Sequence, residues 1–371
     1  MTMPKGAIRD SWPDRYNPTA ADCRCGFIAA PSAGDASFHH QREDMSVWEA
    51  IASLARLAPT PHNTQPFRIL PRDDHSADLV ALTERFLPRE DHGNRYVLAS
   101  FGTFAASLER SARHFGHTLT VTPVVGLNPA TVTDRRARVV LGSATITGAC
   151  MPDTNDHLLE VRRTSRLPYH RRAVDTQAIS AMVRVAAQGG HRFIAYDDPG
   201  IVASLLRLNA EAVVDNLQLD DEREEIRGWY RLGTTPENGD GLWQAPMNQP
   251  AWEISAAFRI PHVFSWPGLR RFAVRRYLRT QRGTRHVGLL CGTFDRWPEL
   301  YTAGRVLLDV WLEMARQDVY MQPMGSMLTN PKYADEIARR FGVGDCWLVF
   351  RFGYSDPPPR APRLENILIN E

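Results

Sequence analysis

Three stretches of the chain combine residue types that chemistry can use. Arg162-Arg163-Thr164-Ser165-Arg166 interleaves three guanidiniums with two hydroxyls just before Pro168. Arginine forks meet phosphate oxygens two at a time and short hydroxyls complete the shell, so the run suits a terminal phosphomonoester. Taken alone, a basic run is equally a solvated surface. Pro59-Thr60-Pro61-His62-Asn63-Thr64-Gln65-Pro66-Phe67 is uncharged apart from its histidine and rich in amides and hydroxyls. Such a loop can read the polar edge of a heteroaromatic ring, or it is a proline-stiffened turn in which Asn63 caps its own backbone. In Tyr320-Met321-Gln322-Pro323-Met324-Gly325-Ser326, a glycine after a proline lets the backbone approach a flat ligand closely. Arg360 and Arg363, on a proline-rich tail, could again meet phosphate.

The elements that must position these stretches come in a repeated order. Ser46 and Glu49 have capping-box spacing, and apolar residues at helical intervals predict a helix over 46–58 that stops at Pro59. A short strand follows at 67–70, then a long helix over 95–115 with Gly116 as its C-cap, then a strand at 118–124. The second half repeats this: a helix over 176–187, a Gln188-Gly189-Gly190 turn, a strand at 192–196, and residues 302–324 set against 100–124 with Gly304 over Gly102. The halves read as two copies of one unit. Phe67 to Gly102 is much shorter than Phe193 to Gly304, so the second copy carries an insertion of about 76 residues, placed between about 210 and 285. Its Trp229, Tyr230, Trp243, Trp252, Phe258, Phe264 and Trp266 among Pro, Gly and Arg read as an ordered cover, a lid.

Together the motifs resemble the nitroreductase superfamily of FMN enzymes over about residues 45 to 365. RRTSR is similar to its basic-hydroxyl phosphate motif, APTPHNTQPF to the loop usually written with Ser, Asn, Gln, Pro and Trp, and QPMG to the loop facing flavin N5. Ordinary members build two FMN sites between identical subunits. Here the first copy has the amide loop without RRxSR, and the second has RRTSR with only AAQGG in place of the loop. That division resembles the single-chain, pseudo-dimeric, lidded members typified by mycobacterial Acg.

The resemblance implies an α+β nitroreductase-like fold made of two degenerate copies as an intramolecular pseudo-dimer. Its parts would be an irregular arm at 1–43, a first half at 44–150 and a second half at 151–371. It puts the FMN phosphate on Arg162, Arg163, Thr164 and Arg166, with Arg363 and Arg360 from the tail. Pro59, Thr60, Pro61, Asn63 and Gln65 would lie along the ribityl chain and ring, and the Met324-Gly325 backbone near N5. Phe67 stands where Trp is usual, and the tail cations are spaced three apart rather than two. The implied activity is ping-pong transfer through flavin N5 from NAD(P)H to a nitroaromatic or quinone-like acceptor, or to a pathway-specific one. The alternatives are a flavin-sequestering protein whose lid denies access, and a flavin dehydrogenase using oxygen. FMN carries the electron chemistry, so no acid-base side chain is required. His286, beside Arg285, is the one catalytic candidate.

Composition bounds the rest. Among 371 residues, 44 Lys and Arg face 42 Asp and Glu, a net charge of +2 that advertises no nucleic-acid partner. Apolar runs of about five residues exclude a spanning helix, which needs about twenty, and Pro and acids interrupt the N-terminus before a signal-peptide core could form. These features predict a cytoplasmic protein with no membrane partner, monomeric if its dimer is internal. Cys23 and Cys25 form C-R-C, neither a zinc nor a redox spacing, and read as free thiols. His39-His40, and His114 with His117, have no carboxylate or cysteine at metal spacing, so no metal is expected. Gly342-Val343-Gly344 follows a helix and precedes a strand, the reverse of a dinucleotide fingerprint. Tyr169 and His170, just after the phosphate motif, could reach the substrate face or could belong to core and surface.

Overall fold

The computed structural model describes residues 45–128, 132, 136–153, 157–233 and 239–370. The expected arm at 1–43, with Cys23, Cys25, His39 and His40, lies outside the described residues. Residues 46 to 370 form one compact α+β unit.

Helix α1 (Val47–Ala55) starts as its spacing predicts: the Ser46 N–H donates to Glu49 Oε2 at 2.7 Å, and the Glu49 N–H donates to Ser46 Oγ at 3.3 Å. Strands β1 (Phe67–Pro71) and β2 (Ser76–Leu82), helix α2 (Arg95–His114), and strands β3 (His117–Pro123) and β4 (Arg138–Ala149) complete the first half. Their sheet is antiparallel in the order β1-β2-β4-β3.

After the short α3 (Leu158–Val161), the second half sets out α4 (Thr176–Gln188) and β5 (Arg192–Tyr196). Helices α5 (Pro199–Asn216) and α6 (Asp220–Trp229) follow, then the paired dipeptides β6 (Tyr230–Arg231) and β7 (Leu242–Trp243), then α7 (Ala251–Arg259) and α8 (Pro267–Thr280). Next come β8 (His286–Cys291), α9 (Trp297–Arg316), β9 (Tyr320–Pro323), α10 (Ser326–Thr329), α11 (Pro331–Phe341) and β10 (Cys346–Gly353). The second sheet is antiparallel with order β5-β8-β10-β9. Counted within its own half, each sheet runs first, second, fourth, third. This is consistent with duplication.

The two long helices α2 and α9 pack on each other and cross at Gly102 and Gly304. A β-carbon on either glycine would stand 3.0 Å from the other's α-carbon and strike backbone, at the Tyr301 carbonyl in one direction and the Ala99 carbonyl in the other. Only glycine permits that approach. Arg305 pairs with Glu109 at 2.6 Å and Arg110 with Asp309 at 2.6 Å, one ion pair running in each direction across the crossing.

Two sequence expectations shift. The first sheet has two strands, β2 and β4, that the periodicity did not announce. The segment without a counterpart is longer than the expected 210–285: β1 and β2 are joined by a tight turn, whereas β5 and β8 are separated by residues 197–285, which include α5.

Candidate ligand cavity

One cavity of about 740 Å³ receives side chains from nearly every motif named above. That is ample for a drug-sized ligand, for which 300–1,000 Å³ is usual. Its walls come from the 59–63 loop, α2, the arginine run, the Pro323–Ser326 turn, the tail and the inserted helices. Leu57, Leu87, Val214, Trp243 and Phe258 are among its apolar wall residues.

The polar part of the wall carries both signs, with the carboxylates Glu90, Asp91, Glu160 and Glu253 and a larger number of arginines. Arg162, Arg163, Arg166, Arg360 and Arg363 all line the cavity. Among the described residues none of the five has a carboxylate within 4.0 Å. The Leu57 carbonyl accepts from both Arg162 Nη2 at 2.8 Å and Arg363 Nη2 at 3.3 Å, which fixes how close these two guanidiniums lie. Arg162 stacks 4.5 Å from the Trp311 ring, and its buried Nε has no partner. Arg163 donates to Pro358 O at 2.9 Å and also has an unpartnered, buried Nε. Arg360 is exposed. Burial, and then the neighbouring Arg363, pulls Arg162 down to about 9. Burial, and then Arg56, pulls Arg363 down to about 10. Burial also lowers Arg166. Arg162 is buried and Arg163, Arg166 and Arg363 are half-buried, all without a carboxylate partner among the described residues; cations so placed cost stability, and an anion would offset that cost. Thr164 lines the cavity too and bridges to Met321.

Arg351, which sequence reasoning missed, orients this run from behind. Fully buried, it donates from Nε to Gln322 Oε1 at 2.6 Å and from Nη2 to Leu167 O at 3.0 Å, and it lies 4.2 Å over the Tyr169 ring. A basic residue in the apolar run CWLVFRFGY was the available signal.

The amide loop behaves differently from the expectation. Pro59, Thr60, Pro61 and Asn63 line the cavity, but the side chains of Asn63 and Gln65 are committed within the protein. Asn63 Nδ2 donates to Gly241 O at 3.1 Å and to Pro362 O at 3.0 Å, and its Oδ1 accepts from Arg363 Nη1. Gln65 Nε2 donates to Gly239 O at 2.9 Å, its Oε1 accepts from the Leu364 N–H at 3.0 Å, and the residue is absent from the cavity lining. These amides fasten the insertion and the tail to the loop. Asp240 reinforces the joint, pairing with Arg85 at 3.0 Å and Arg231 at 2.9 Å.

Three other candidates move. His286 is buried in β8, its Nε2 accepting from the Val174 N–H at 2.9 Å and its ring stacked on Phe352, and burial lowers its pKa. It does not line the cavity, because the alternation of β8 turns it into the sheet's packing. Met324 is buried, and its N–H donates to Val349 O at 2.8 Å, leaving Gly325 as the lining residue of that pair. Tyr169 is buried core and His170 is exposed. Among the described residues no cluster of metal ligands occurs.

His62, the histidine of the loop, is a second residue that sequence reasoning passed over. It lines the cavity beside Glu90, and its Nε2 pairs with Glu90 Oε2. Burial works to lower its pKa, but Glu90 outweighs that and leaves it raised, against a smaller opposing effect of Arg166. His62, Asn63 and Gln65 all have positive φ, at 45°, 56° and 48°. Three such non-glycine residues within four positions are a costly backbone that the surrounding hydrogen bonds must enforce.

No family model matches the chain, and no curated protein does. Among solved structures, the chain is similar to the FMN-dependent nitroreductase NfnB from Mycobacterium smegmatis, in complex with NADPH. That match has 17% identity, covers 56% of this chain and 92% of that one, and has a TM-score of 0.32. It is similar to the FMN and NADPH-dependent nitroreductase NfnB from Sphigopyxis sp. at 15% identity, over 57% of this chain and 95% of that one, with a TM-score of 0.32. It is similar to a nitroreductase with bound FMN from Bacteroides fragilis at 12% identity, over 55% of this chain and 89% of that one, with a TM-score of 0.30. Likeness at this level assigns no role to any residue of this chain.

Proposed function

We propose that the chain is an FMN-dependent oxidoreductase of nitroreductase kind, with one cofactor site assembled by two fused halves and covered by the insertion as a lid. The observation that carries this reading is the set of five arginines without carboxylate partners on one largely apolar cavity. A ligand that is flat and apolar at one end and doubly anionic at the other answers both features. FMN would bring two-electron chemistry at N5, accepting from NAD(P)H and delivering to an electron-poor, nitroaromatic or quinone-like acceptor.

The residues divide that work. Arg162, Arg166 and Arg363, helped by Arg163, Thr164 and Arg360, hold the phosphate, since charge-assisted guanidinium bonds are the strong ones. Thr60, Pro61 and Gly325 border the flat part. Asn63 and Gln65 position rather than bind, fixing the loop, tail and insertion around the ligand. His62 holds a proton against Glu90 within the cavity, where an acceptor that gains electrons must also gain a proton. The inserted helices exclude water from the apolar side.

The test is the visible spectrum of the purified chain after incubation with FMN and gel filtration. Retained flavin absorbance that bleaches anaerobically with NADH or NADPH is expected, and a chain that fails to retain FMN overturns the reading. Retention without reduction by either nicotinamide would favour sequestration, the reading suited to a cavity so largely walled by inserted helices. Substrate-dependent peroxide formation would point instead to a dehydrogenase using oxygen.

A further inference from the structure

The stretch that contains α7 and α8 carries a charge that the rest of the chain does not. Residues 245 to 285 hold eight arginines against a single acid, Glu253, in a chain whose net charge is only +2. Two arginines are neutralised locally, Arg270 by Asp215 at 2.8 Å and Arg276 by Glu253 at 2.9 Å. Arg271, Arg275 and Arg279 are exposed, and among the described residues they have no carboxylate within 4.0 Å. Spaced four apart on α8, they form one row along its outer side.

The same surface is strongly apolar. The only exposed Trp and Phe side chains among the described residues are here: Trp252 at 70%, Trp266 at 71% and Phe272 at 65%. Ile260 and Leu269 are exposed with them. On α8, Phe272 stands beside the arginine row and Leu269 about a third of a turn further round, while Val274 is buried. Clustered large apolar side chains in water mark a surface made for a partner. Trp252, Ile260, Leu269 and Phe272 also line the cavity, so it reaches the surface through this patch.

We infer that the face formed by α7, α8 and the turn between them docks on an anionic phospholipid bilayer. The arginine row meets headgroup phosphates while Trp, Phe, Leu and Ile enter the headgroup–acyl boundary, the arrangement of an interfacial amphipathic helix. A nucleic acid would satisfy the arginines and leave Ile260 and Leu269 in water. A second copy of the chain meeting the same patch would cover the apolar side chains but set one arginine row against another. The absence of a long apolar run, and of any described helix able to span a membrane, bears on crossing a bilayer and not on lying upon it. This inference stands apart from the flavin reading.

The test sediments the full-length chain with sucrose-loaded vesicles of phosphatidylcholine alone or mixed with phosphatidylglycerol, at low and high salt. Binding only to the anionic vesicles, weakening as salt rises, is expected. The Arg271→Glu/Arg275→Glu/Arg279→Glu variant should bind at least about a hundredfold more weakly. Trp266→Ser, which touches neither the arginine row nor the cavity, should weaken binding and keep its salt dependence. Circular dichroism and thermal unfolding check that each variant is folded, and if the triple variant is not, Trp266→Ser carries the test. Three results would overturn the inference. One is no binding to anionic vesicles, or equal binding to both compositions. Another is tighter binding to a short DNA duplex than to the vesicles. The third is a dimer in sedimentation velocity that Trp266→Ser converts to monomer.

Discussion

The first sheet is packed by α1 and α2 on one side, and its strand β3 alternates, burying Leu119 and Val121 while Thr118, Thr120 and Thr122 are exposed. The second sheet, with the same strand order, is covered on both sides, by α4 and α9 on one face and by α5, α10 and α11 on the other. Every residue of β8 is buried, and every residue of β10 after Cys346. Helix α5, in the 197–285 segment that has no counterpart between β1 and β2, accounts for part of the difference. Two sheets of the same strand order, consistent with duplication, thus differ in packing: one has a second packed layer and the other a solvated face. The cavity wall is as uneven: the amide loop comes from residues 59–63 and the five arginines from residues 162–166 and 360–363.

What the copies share is their crossing, and this is where the largest effect should fall. Gly304→Val would drive a side chain into the Ala99 carbonyl, in backbone that no rotamer change can clear. We expect a loss of about 3 kcal/mol or more in denaturant unfolding, or no folded protein. The contrast lies in the insertion, where a β-carbon on Gly228 of α6 meets nothing within 4 Å. Gly228→Ala should gain about 0.4–1 kcal/mol. If both substitutions are neutral, the helices do not cross at these glycines.

The cationic side of the site gives the next effect. Arg166 has a lowered pKa from burial and, among the described residues, no ion pair. Removing a half-buried charge that has no ion-pair partner relieves the apo-protein, so Arg166→Met should unfold at the same temperature as the parent or higher. FMN affinity, read by fluorescence quenching, should fall about ten- to a hundredfold. A variant that is destabilised yet binds FMN normally would make Arg166 a structural residue and break the division between a first copy that shapes and a second that binds.

The same contrast explains what could be read from the residues alone. Strands β8 and β10, buried on both faces, are continuous apolar runs, VGLLC and CWLVF, and are visible without a fold. Strand β4 exposes Arg138, Val140, Thr145 and its last three residues, and mixes Gly, Ser and Thr, so neither alternation nor a run marks it. The long helices and the Gly102–Gly304 correspondence were legible because close packing of two helices needs glycine at one register. The arginine run could be located, and so could the loop, but the use of Asn63 and Gln65 could not: their partners Gly239, Gly241 and Pro362 are distant in sequence, and amides that bind a ligand look the same as amides that fasten a segment. His62 escaped for the same reason, since its partner Glu90 lies beyond β1 and β2 in the sequence.

Those fastening amides predict a stability phenotype. Asn63→Ala removes two donors to buried carbonyls and one acceptor of Arg363. A loss of about 2 kcal/mol is expected in thermal or denaturant unfolding, with faster proteolysis of the insertion than of the sheets. Leu in place of Asn63 should not restore it. Were Asn63→Ala to lose FMN binding while retaining full stability, the loop would be a binding element and the first copy would contribute more than shape.

The smallest effect concerns His62. Its folded pKa lies above the ordinary 6.5, so protons bind the native state more tightly than the unfolded one. The stabilisation it contributes is complete below pH 6.5 and is lost as pH rises through the folded pKa. Burial raises Asp91 to about 7, and burial with nearby Glu90 and Glu225 raises Glu222 to about 7. Both act in the same direction over a range that starts lower, so the parent's unfolding temperature alone cannot isolate His62. The difference between parent and His62→Gln can: it should be constant below pH 6.5 and shrink above it, by at most about 1.4 kcal/mol per pH unit for one proton. If His62 also supplies the acceptor's proton, turnover of the parent should fall over the same interval and His62→Gln should be slow and flat with pH. A stability difference that shrinks while turnover stays level would leave the His62–Glu90 pair as one more fastening of the first copy, not part of its chemistry.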